Sequence, residues 1–301
     1  MRDFSIIVPT YNRPDKLATC VAALCQLDYP AERYEIIIVD DGSPQPLDAA
    51  VIACVDAANI RLVRQENQGP GGARNRGAAE ASGRFLALTD DDCVAHPKWL
   101  AELGAALEAH PDAMVGGHTI NHLTENPYAS ASQAITDVVY RHYNPDPQRA
   151  TFFTSNNMAM ARSRFLDLGG FSRQMRLFAE DRELCDRWRF QGGAMRYLPS
   201  ALMYHRHNLT LRTYLKQHYR YGRGAYHFHR MRAARGSGTL LREASFHADL
   251  DNWLLRPIRE TPGWRRKLAL FSLIGLWQAA NLVGYFSAAI RPDLEAAADT
   301  A

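Results

Sequence analysis

Short apolar runs alternate along the first third of the chain with stretches of helical spacing. Residues 4–8 form a β-branched apolar run broken only by Ser5, which predicts a buried parallel strand. Residues 15–27 place Leu17, Val21, Leu24 and Cys25 on one helical face, and Pro30 ends the pattern. Residues 35–39 predict a second strand, 48–58 a helix and 60–64 a third strand. Residues 65–72 read as a glycine-rich loop, 73–81 as a helix, 85–88 as a fourth strand and 98–109 as another helix. Strands alternating with helices predict βαβ units and a mostly parallel sheet.

The rhythm changes after about Asp112. Residues 114–120 predict a strand, and 121–149, interrupted by Asn126-Pro127 and Asn144-Pro145, leave room for a helix over 130–140 followed by a mobile loop. A strand over 158–161 and helices over 162–168 and 180–191 follow, the second stopped by Gly192-Gly193. Residues 195–198 and 201–204 predict two short strands. Residues 211–235 are basic and rich in Tyr and His, and 268–290 carry no charge.

Composition adds limits more than leads. With 301 residues, 47% apolar and 22% charged, the chain is long enough for one large domain or two modest ones. A net charge of +3 selects no partner, but no Asp or Glu occurs from Arg187 to Arg242. The cysteines (Cys20, Cys25, Cys54, Cys93, Cys185) are odd in number and never spaced as CxxC, which argues against a zinc site or a disulfide framework and for a reducing compartment. Met1-Arg2-Asp3 runs straight into the first strand, so a secretory leader is not expected.

Chemistry concentrates where the predicted strands stop. The second strand ends at Asp40-Asp41-Gly42-Ser43 and the fourth at Asp90-Asp91-Asp92; Glu180-Asp181 opens a later helix. Carboxyl ends of strands are the ligand-binding edge of open α/β sheets. In an extended segment Asp90 and Asp92 would point the same way and offer two hard oxygens to Mg²⁺ or Mn²⁺; the alternative is a solvated acidic turn. A carboxylate at Asp40 or Asp41 can accept from a base or ribose, or serve a plain Asp-Gly turn. Residues 67–77 enter a helix through glycines, an arrangement suited to an anion, yet they match neither GxxxxGK[ST] nor GxGxxG.

Taken together, Val8-Pro9-Thr10-Tyr11-Asn12-Arg13, Val39-Asp40-Asp41-Gly42-Ser43, Gly72-Ala73-Arg74-Asn75-Arg76-Gly77, Thr89-Asp90-Asp91-Asp92, Gly169-Gly170-Phe171 and Glu180-Asp181 resemble the family 2 glycosyltransferases of the GT-A fold, over about residues 4–210. The resemblance implies an α/β fold with a Rossmann-like, mostly parallel central sheet, helices on both faces and a helical C-terminal extension. Residues 1–115 would be the nucleotide-sugar-binding half, 116–210 the acceptor-binding and catalytic half, and 211–301 the basic and apolar extension. It also implies an inverting transferase that uses a nucleotide-diphospho-sugar donor and a hydroxyl acceptor on a glycan, lipid-linked glycan or glycolipid. Pro9, Tyr11, Arg13, Asp41, Arg74, Asp90 and Asp91 would bind the donor. Asp90, Asp92 and His205, or His207 in its place, would hold Mn²⁺ or Mg²⁺. Asp181 would be the general base, and Asn156, Asn157, Glu180 and Trp188 would line the acceptor or sugar pocket. Processive members carry Gln-x-x-Arg-Trp; here Leu184 precedes Arg187-Trp188, which favours transfer of a single sugar.

The tail separates the remaining readings. Basic residues interleaved with Tyr214, Tyr219, Tyr221 and Tyr226 suit an anionic membrane surface, a lipid phosphate or a solvated helix face, and no nucleic-acid-binding module is recognisable. Residues 268–290 are long enough to cross a bilayer, and Arg265-Arg266-Lys267 would hold that flank in the cytoplasm. A core-packed or dimer-forming helical hairpin broken near Gly275 is the alternative. The expected location is the cytoplasm, at the inner face of the cell membrane. Competing functions are a non-catalytic nucleotide-sugar sensor and a nucleotidyltransferase, the latter disfavoured by Pro-Thr-Tyr-Asn after the first strand.

Overall fold

The computed structural model describes residues 2–47, 59–175, 178–238 and 245–291. The helix expected over 48–58 lies outside the described residues. The chain divides into two compact units, one of residues 1–122 with 144–206 and one of 123–143 with 207–301.

The first unit is built on one eight-stranded sheet, in the order β3-β2-β1-β4-β7-β6-β8-β5. Its strands are β1 (Phe4–Thr10), β2 (Tyr34–Asp40), β3 (Ile60–Arg64), β4 (Phe85–Leu88), β5 (Cys93–Ala95), β6 (Met114–Asn121), β7 (Met158–Ala161) and β8 (Met195–His205). β1 to β4 are mutually parallel, β7 runs antiparallel between β4 and β6, β8 is parallel to β6, and β5 closes the edge antiparallel to β8.

Local sequence explains this arrangement. β1 and β2 are buried at every position, as strands in the middle of a parallel sheet are, and their polar positions Ser5 and Glu35 pair with each other at 2.7 Å. β3, with Arg61 and Arg64, lies at the exposed edge. The carbonyls of Ile7 and Thr10 accept from Thr89 N–H and Asp41 N–H respectively. By strand alternation Pro9 faces the β4 side, beyond the last β1–β4 pair, where its missing N–H breaks no ladder bond. In β8, Leu198 pairs with Gly117 and Leu202 with His118, so Pro199, Ser200 and Ala201 bulge from the ladder. The two short strands expected there are thus one irregular strand.

Alternate residues of β1 serve opposite faces. Phe4, Ile6 and Val8 pack with Leu17, Val21 and Leu24 of α1 (Pro14–Leu24) and with Trp99, Leu103 and Leu107 of α3 (Trp99–Ala109). On the other face, Ile7 and Val39 lie against Gly77 of α2 (Gly69–Glu80). α5 (Arg162–Asp167) and α6 (Glu180–Phe190) complete this unit. A mostly parallel sheet with helices on both faces is the expected class.

The second unit is helical: α4 (Pro127–Tyr143), α7 (Leu211–Arg235), α8 (Arg256–Glu260) and α9 (Trp264–Ile290). Thr210 and Thr213 form a reciprocal cap at the start of α7, and Gly236 ends it in the left-handed region. α9 runs unbroken through Gly275. Gly222 of α7 and Gly284 of α9 let the two backbones meet, since a Cβ on either would strike a carbonyl of the other helix. Tyr214 is fully buried and donates to the Leu273 carbonyl at 2.9 Å, and His218 is buried between aromatic rings, which pushes its pKa down to about 3. Part of the Tyr- and His-rich pattern is therefore helix packing, not surface.

Candidate active site

The carboxyl ends of β2 and β4 carry the acidic residues, and each is fixed differently. Asp40 accepts from Ser43 N–H at 3.0 Å and from Arg64 at 3.1 Å. Asp41, also buried, accepts from Gln65 Nε2 at 2.7 Å, Gln68 N–H at 2.9 Å and Gly69 N–H at 2.8 Å. It thereby caps α2 from outside the helix. This is why the glycine-rich stretch expected as a loop is already helical from Gly69. Gly42 makes the turn possible: φ is +79° and a Cβ would lie 2.8 Å from Asn67 N. Tyr11, just past β1, is 46% exposed.

The triple-Asp segment is a turn, not an extended strand: Cys93 N–H donates to the Asp90 carbonyl at 3.1 Å. This corrects the expectation of an extended segment in which Asp90 and Asp92 point the same way. Asp90 is engaged by Arg74. Asp91 accepts from Thr10 Oγ1 at 2.7 Å and Arg13 Nη1 at 3.1 Å. Burial raises Asp91 to about 6, against the opposing pull of Arg13. Asp92 contacts His205 Nε2 at 3.2 Å and Lys16 Nζ at 3.1 Å. Burial alone would raise Asp92, but the His205 hydrogen bond and the charges of His205, Lys16 and Arg13 outweigh it and hold the carboxyl well below the usual range. His205 is raised for the same reason, its bond to Asp92 overcoming burial. The pairing of β5 with β8 sets this contact, because it puts His205 opposite Cys93.

Glu180 and Asp181 open α6 behind Ala179, which adopts φ +63°, a left-handed conformation uncommon for a residue with a Cβ. Buried Arg74 joins them to the acidic turn: its guanidinium contacts Asp90 and lies 3.3 Å from Glu180 Oε1. α2 is pinned to the approach of α6 as well. Asn75 Nδ2 donates to the Phe171 carbonyl at 2.8 Å while its Oδ1 accepts from Phe171 N–H at 2.7 Å. Arg74 lies over the Phe171 ring at 5.5 Å, and a Cβ on Gly71 would come within 3.2 Å of Phe171. Burial, then the neighbouring Asp181, raises Glu180 to about 8, and Asp181 is raised chiefly by burial.

Expected pocket residues fall in different places. Asn157 is fully buried and used up by the scaffold: Oδ1 accepts from Trp99 Nε1 at 2.8 Å, and Nδ2 donates to the carbonyls of Ala201 and His118. Trp188 is buried at the far end of α6, donating to the Ala194 carbonyl at 2.9 Å, with Arg164 stacked at 4.4 Å. Both are corrections to the sequence reading, with the same cause: a buried polar group needs partners, and these two have found theirs in the framework. Asn156 accepts from Thr154 and Thr119 hydroxyls beside Asn157. Lys16, Thr10 and Asn75 were not singled out from sequence. For Lys16 a signal existed, three residues after Arg13 at the start of a helix that leaves the ligand edge of the sheet.

A carboxylate oxygen of Asp92, a ring nitrogen of His205 and the Cys93 sulfur lie within 4.8 Å of one another. Cys93 belongs to the buried core cluster, and its soft sulfur is a poorer match to Mg²⁺ or Mn²⁺ than oxygen or imidazole nitrogen. Asp92 and His205 remain as an oxygen and nitrogen pair that fits Mn²⁺ or Mg²⁺ with open positions for donor oxygens.

This sheet, with its acidic turn at the ligand edge, is that of the GT-A glycosyltransferases. Residues 5–180 match the family model described as Glycosyl transferase family 2, and the chain belongs to that family. It is similar to the pre-mycofactocin glycosyltransferase of Mycobacterium tuberculosis, with 28% identity over 74% of this chain and 47% of that protein. It is also similar to the glycosyltransferase AglE of Haloferax volcanii, with 32% identity over 38% of each. The matched region thus spans less than half the length of these relatives. Among solved structures, the mannosyltransferase PcManGT from Pyrobaculum calidifontis in complex with GDP-Man and Mn²⁺ shares the fold at TM-score 0.68 and 18% identity, over 97% of this chain and 88% of that one. Staphylococcus aureus TarS 1–349 in complex with UDP-GlcNAc shares it at TM-score 0.59 and 16% identity, over 94% and 89%.

Proposed function

We propose that this enzyme transfers a single sugar from a nucleotide-diphospho-sugar to a hydroxyl acceptor with inversion, using a divalent cation. The observation that carries the proposal is the Arg74 bridge, which joins Asp90 of the donor-side turn to Glu180 beside the base. Residues far apart in sequence are thereby held around one site. The complexes of fold relatives with GDP-Man and Mn²⁺ and with UDP-GlcNAc support the donor class.

In this reading residues 1–115 bind the donor and 116–210 the acceptor. Pro9, Tyr11 and Asp41 line the nucleoside, with the exposed Tyr11 ring available to the base. Arg13 and Asp90 lie towards the diphosphate. Asp92 and His205 would hold Mn²⁺ or Mg²⁺, which supplies positive charge to the departing diphosphate when bound. Asp181 takes the proton of the acceptor hydroxyl while the acceptor oxygen bonds to the anomeric carbon and the opposite bond, to the diphosphate, breaks. Burial raises both carboxyls of the pair, and repulsion from Asp181 helps take Glu180 to about 8, so the pair holds a proton more readily than free carboxylates would. The raised Asp181 carboxyl is suited to accept a proton. Leu184 at the position of the processive glutamine supports addition of a single sugar to the acceptor over polymer synthesis.

The second unit supports a membrane-surface site for the acceptor. Among the described residues one helix, Trp264–Ile290, has the length and apolarity of a membrane span. Core helices can pass the same test, but here one side is outward: Leu268, Phe271, Leu282, Val283, Phe286 and Ile290 are exposed. Trp264 and Arg265-Arg266-Lys267 flank this face, as interfacial anchors do. A lipid-linked or glycan acceptor at the cytoplasmic face of the membrane follows from that reading.

The experiment is donor profiling: UDP-, GDP- and dTDP-sugars are incubated with the full chain, Mn²⁺ and an acceptor panel, with a chelator arm. Release of nucleoside diphosphate from one donor class, lost with chelator, is expected. Binding without turnover across the panel would identify a sensor instead.

A further inference from the structure

The two oxygens of Asp92 are held by different partners and are not equivalent. His205 Nε2 lies 3.2 Å from Oδ1, a contact fixed by strand pairing. On Oδ2, Lys16 Nζ lies at 3.1 Å and Arg13 Nη1 at 3.6 Å. Arg13 has a closer partner in Asp91, at 3.1 Å. Lys16 reaches Asp92 from the first turn of α1, with its side chain 37% exposed, so only its flexible stem positions the ammonium.

We propose that Lys16 is an exchangeable counter-ion: its ammonium competes with a divalent cation for Asp92 Oδ2, and transfers to the donor's diphosphate when metal and nucleotide bind together. The inference rests on Asp92 and His205 being the cation site. A directly coordinated Mn²⁺ would sit about 2 Å from its oxygen, and an ammonium retained on that oxygen would be held within a few ångströms of a double positive charge. The two therefore exclude each other unless an anion screens them. A diphosphate supplies that anion, and a lysine is a common point-charge partner for phosphate. Lys16 thus weakens the binding of free metal and strengthens that of metal with nucleotide. A plain surface ion pair would have neither effect, since such pairs contribute little.

The test is Lys16→Met in the full chain, with Lys16→Arg as a variant that keeps the charge. Mn²⁺ alone is titrated by the electron paramagnetic resonance signal of the free ion, and UDP and GDP by calorimetry in saturating Mn²⁺. For Lys16→Met, Mn²⁺ should bind about 3- to 10-fold tighter and the preferred nucleotide about 3- to 10-fold weaker, as removal of one charge-assisted contact implies. Lys16→Arg should stay near wild type in both. Mn²⁺ affinity that is equal or weaker in Lys16→Met, or unchanged nucleotide affinity, overturns the exchange and leaves the cation site standing. Wild-type protein that binds no Mn²⁺ with or without nucleotide overturns the cation site, and the exchange with it.

Discussion

Asp181 and Glu180 are neighbours with opposite assignments, and single substitutions separate them. Asp181→Asn removes the proton acceptor without changing shape, so turnover should fall about 10²- to 10⁴-fold, the usual contribution of a general base. Nucleotide affinity, measured by calorimetry, should stay within a factor of two or so of wild type; retained turnover would remove Asp181 from its role. Glu180 gives a stability signature instead. Its carboxyl stands at about 8 in the folded chain, against an unfolded value of about 4.3. The folded state therefore binds more protons between those values, and this contribution to stability is present below the lower one and is lost as pH rises through about 8. Melting curves from pH 5 to 9 should show wild type losing stability relative to Glu180→Gln across that window. Parallel curves would place the proton elsewhere. At this scale the sequence was a partial guide. The order Asp41, Asp90, Asp181 was visible, but the division of labour among Asp90, Asp91 and Asp92 was not, because Arg74, Thr10, Arg13, Lys16 and His205 assign it and they come from other parts of the chain.

Among elements, those driven by their own hydrophobic pattern were legible and those made by a partner were not. β4 falls on residues 85–88, and α3 agrees to within one residue at its start. β5 was missed, because Cys93–Ala95 is too short to announce itself and exists through its pairing with β8. α4 extends to Pro127–Tyr143, beyond the 130–140 expected, with Asn126 Oδ1 accepting from Tyr128 and Ala129 N–H at its start. α2 begins among glycines, which disfavour helix, because Asp41 caps it across the sheet edge. The same dependence on remote partners makes Asn75 a test of how α2 and the Gly169-Gly170-Phe171 turn are coupled. Asn75→Ala leaves both backbone groups of Phe171 without their side-chain partner. A loss of about 2–3 kcal/mol in chemical denaturation is expected. Turnover should drop with it, since this turn leads to α6. A variant as stable as wild type would mean that the Phe171 backbone finds water instead.

At the scale of the whole molecule, charge and apolar surface are distributed unevenly. The acid-free stretch from Arg187 to Arg242 lies largely, and the basic cluster in the first turn of α9 wholly, in the helical unit, within a chain whose net charge is only +3. α9 has one face bound into its own unit through Leu270, Leu273, Ile274 and Trp277 and another turned outward. The length of the apolar stretch was legible in the sequence. Its sidedness was not, because residues with the same hydropathy are divided between the two faces by the packing of α7 against Gly284. An outward apolar face next to basic residues fits anionic lipid, and the rival occupant is a second copy of the chain. Exchanging both exposed rings, Phe271→Glu with Phe286→Glu, decides between them. Each Phe side chain buried in lipid contributes about 1.5–3 kcal/mol, so loss of two lowers binding to phosphatidylglycerol vesicles by at least about tenfold, before any repulsion of the new carboxylates is counted. Co-sedimentation should therefore fall to the level seen with neutral vesicles, while nucleotide binding reports an intact fold. Vesicle binding that survives the double substitution, together with a halved mass by light scattering, would assign the face to a homodimer and leave the acceptor's membrane location without support.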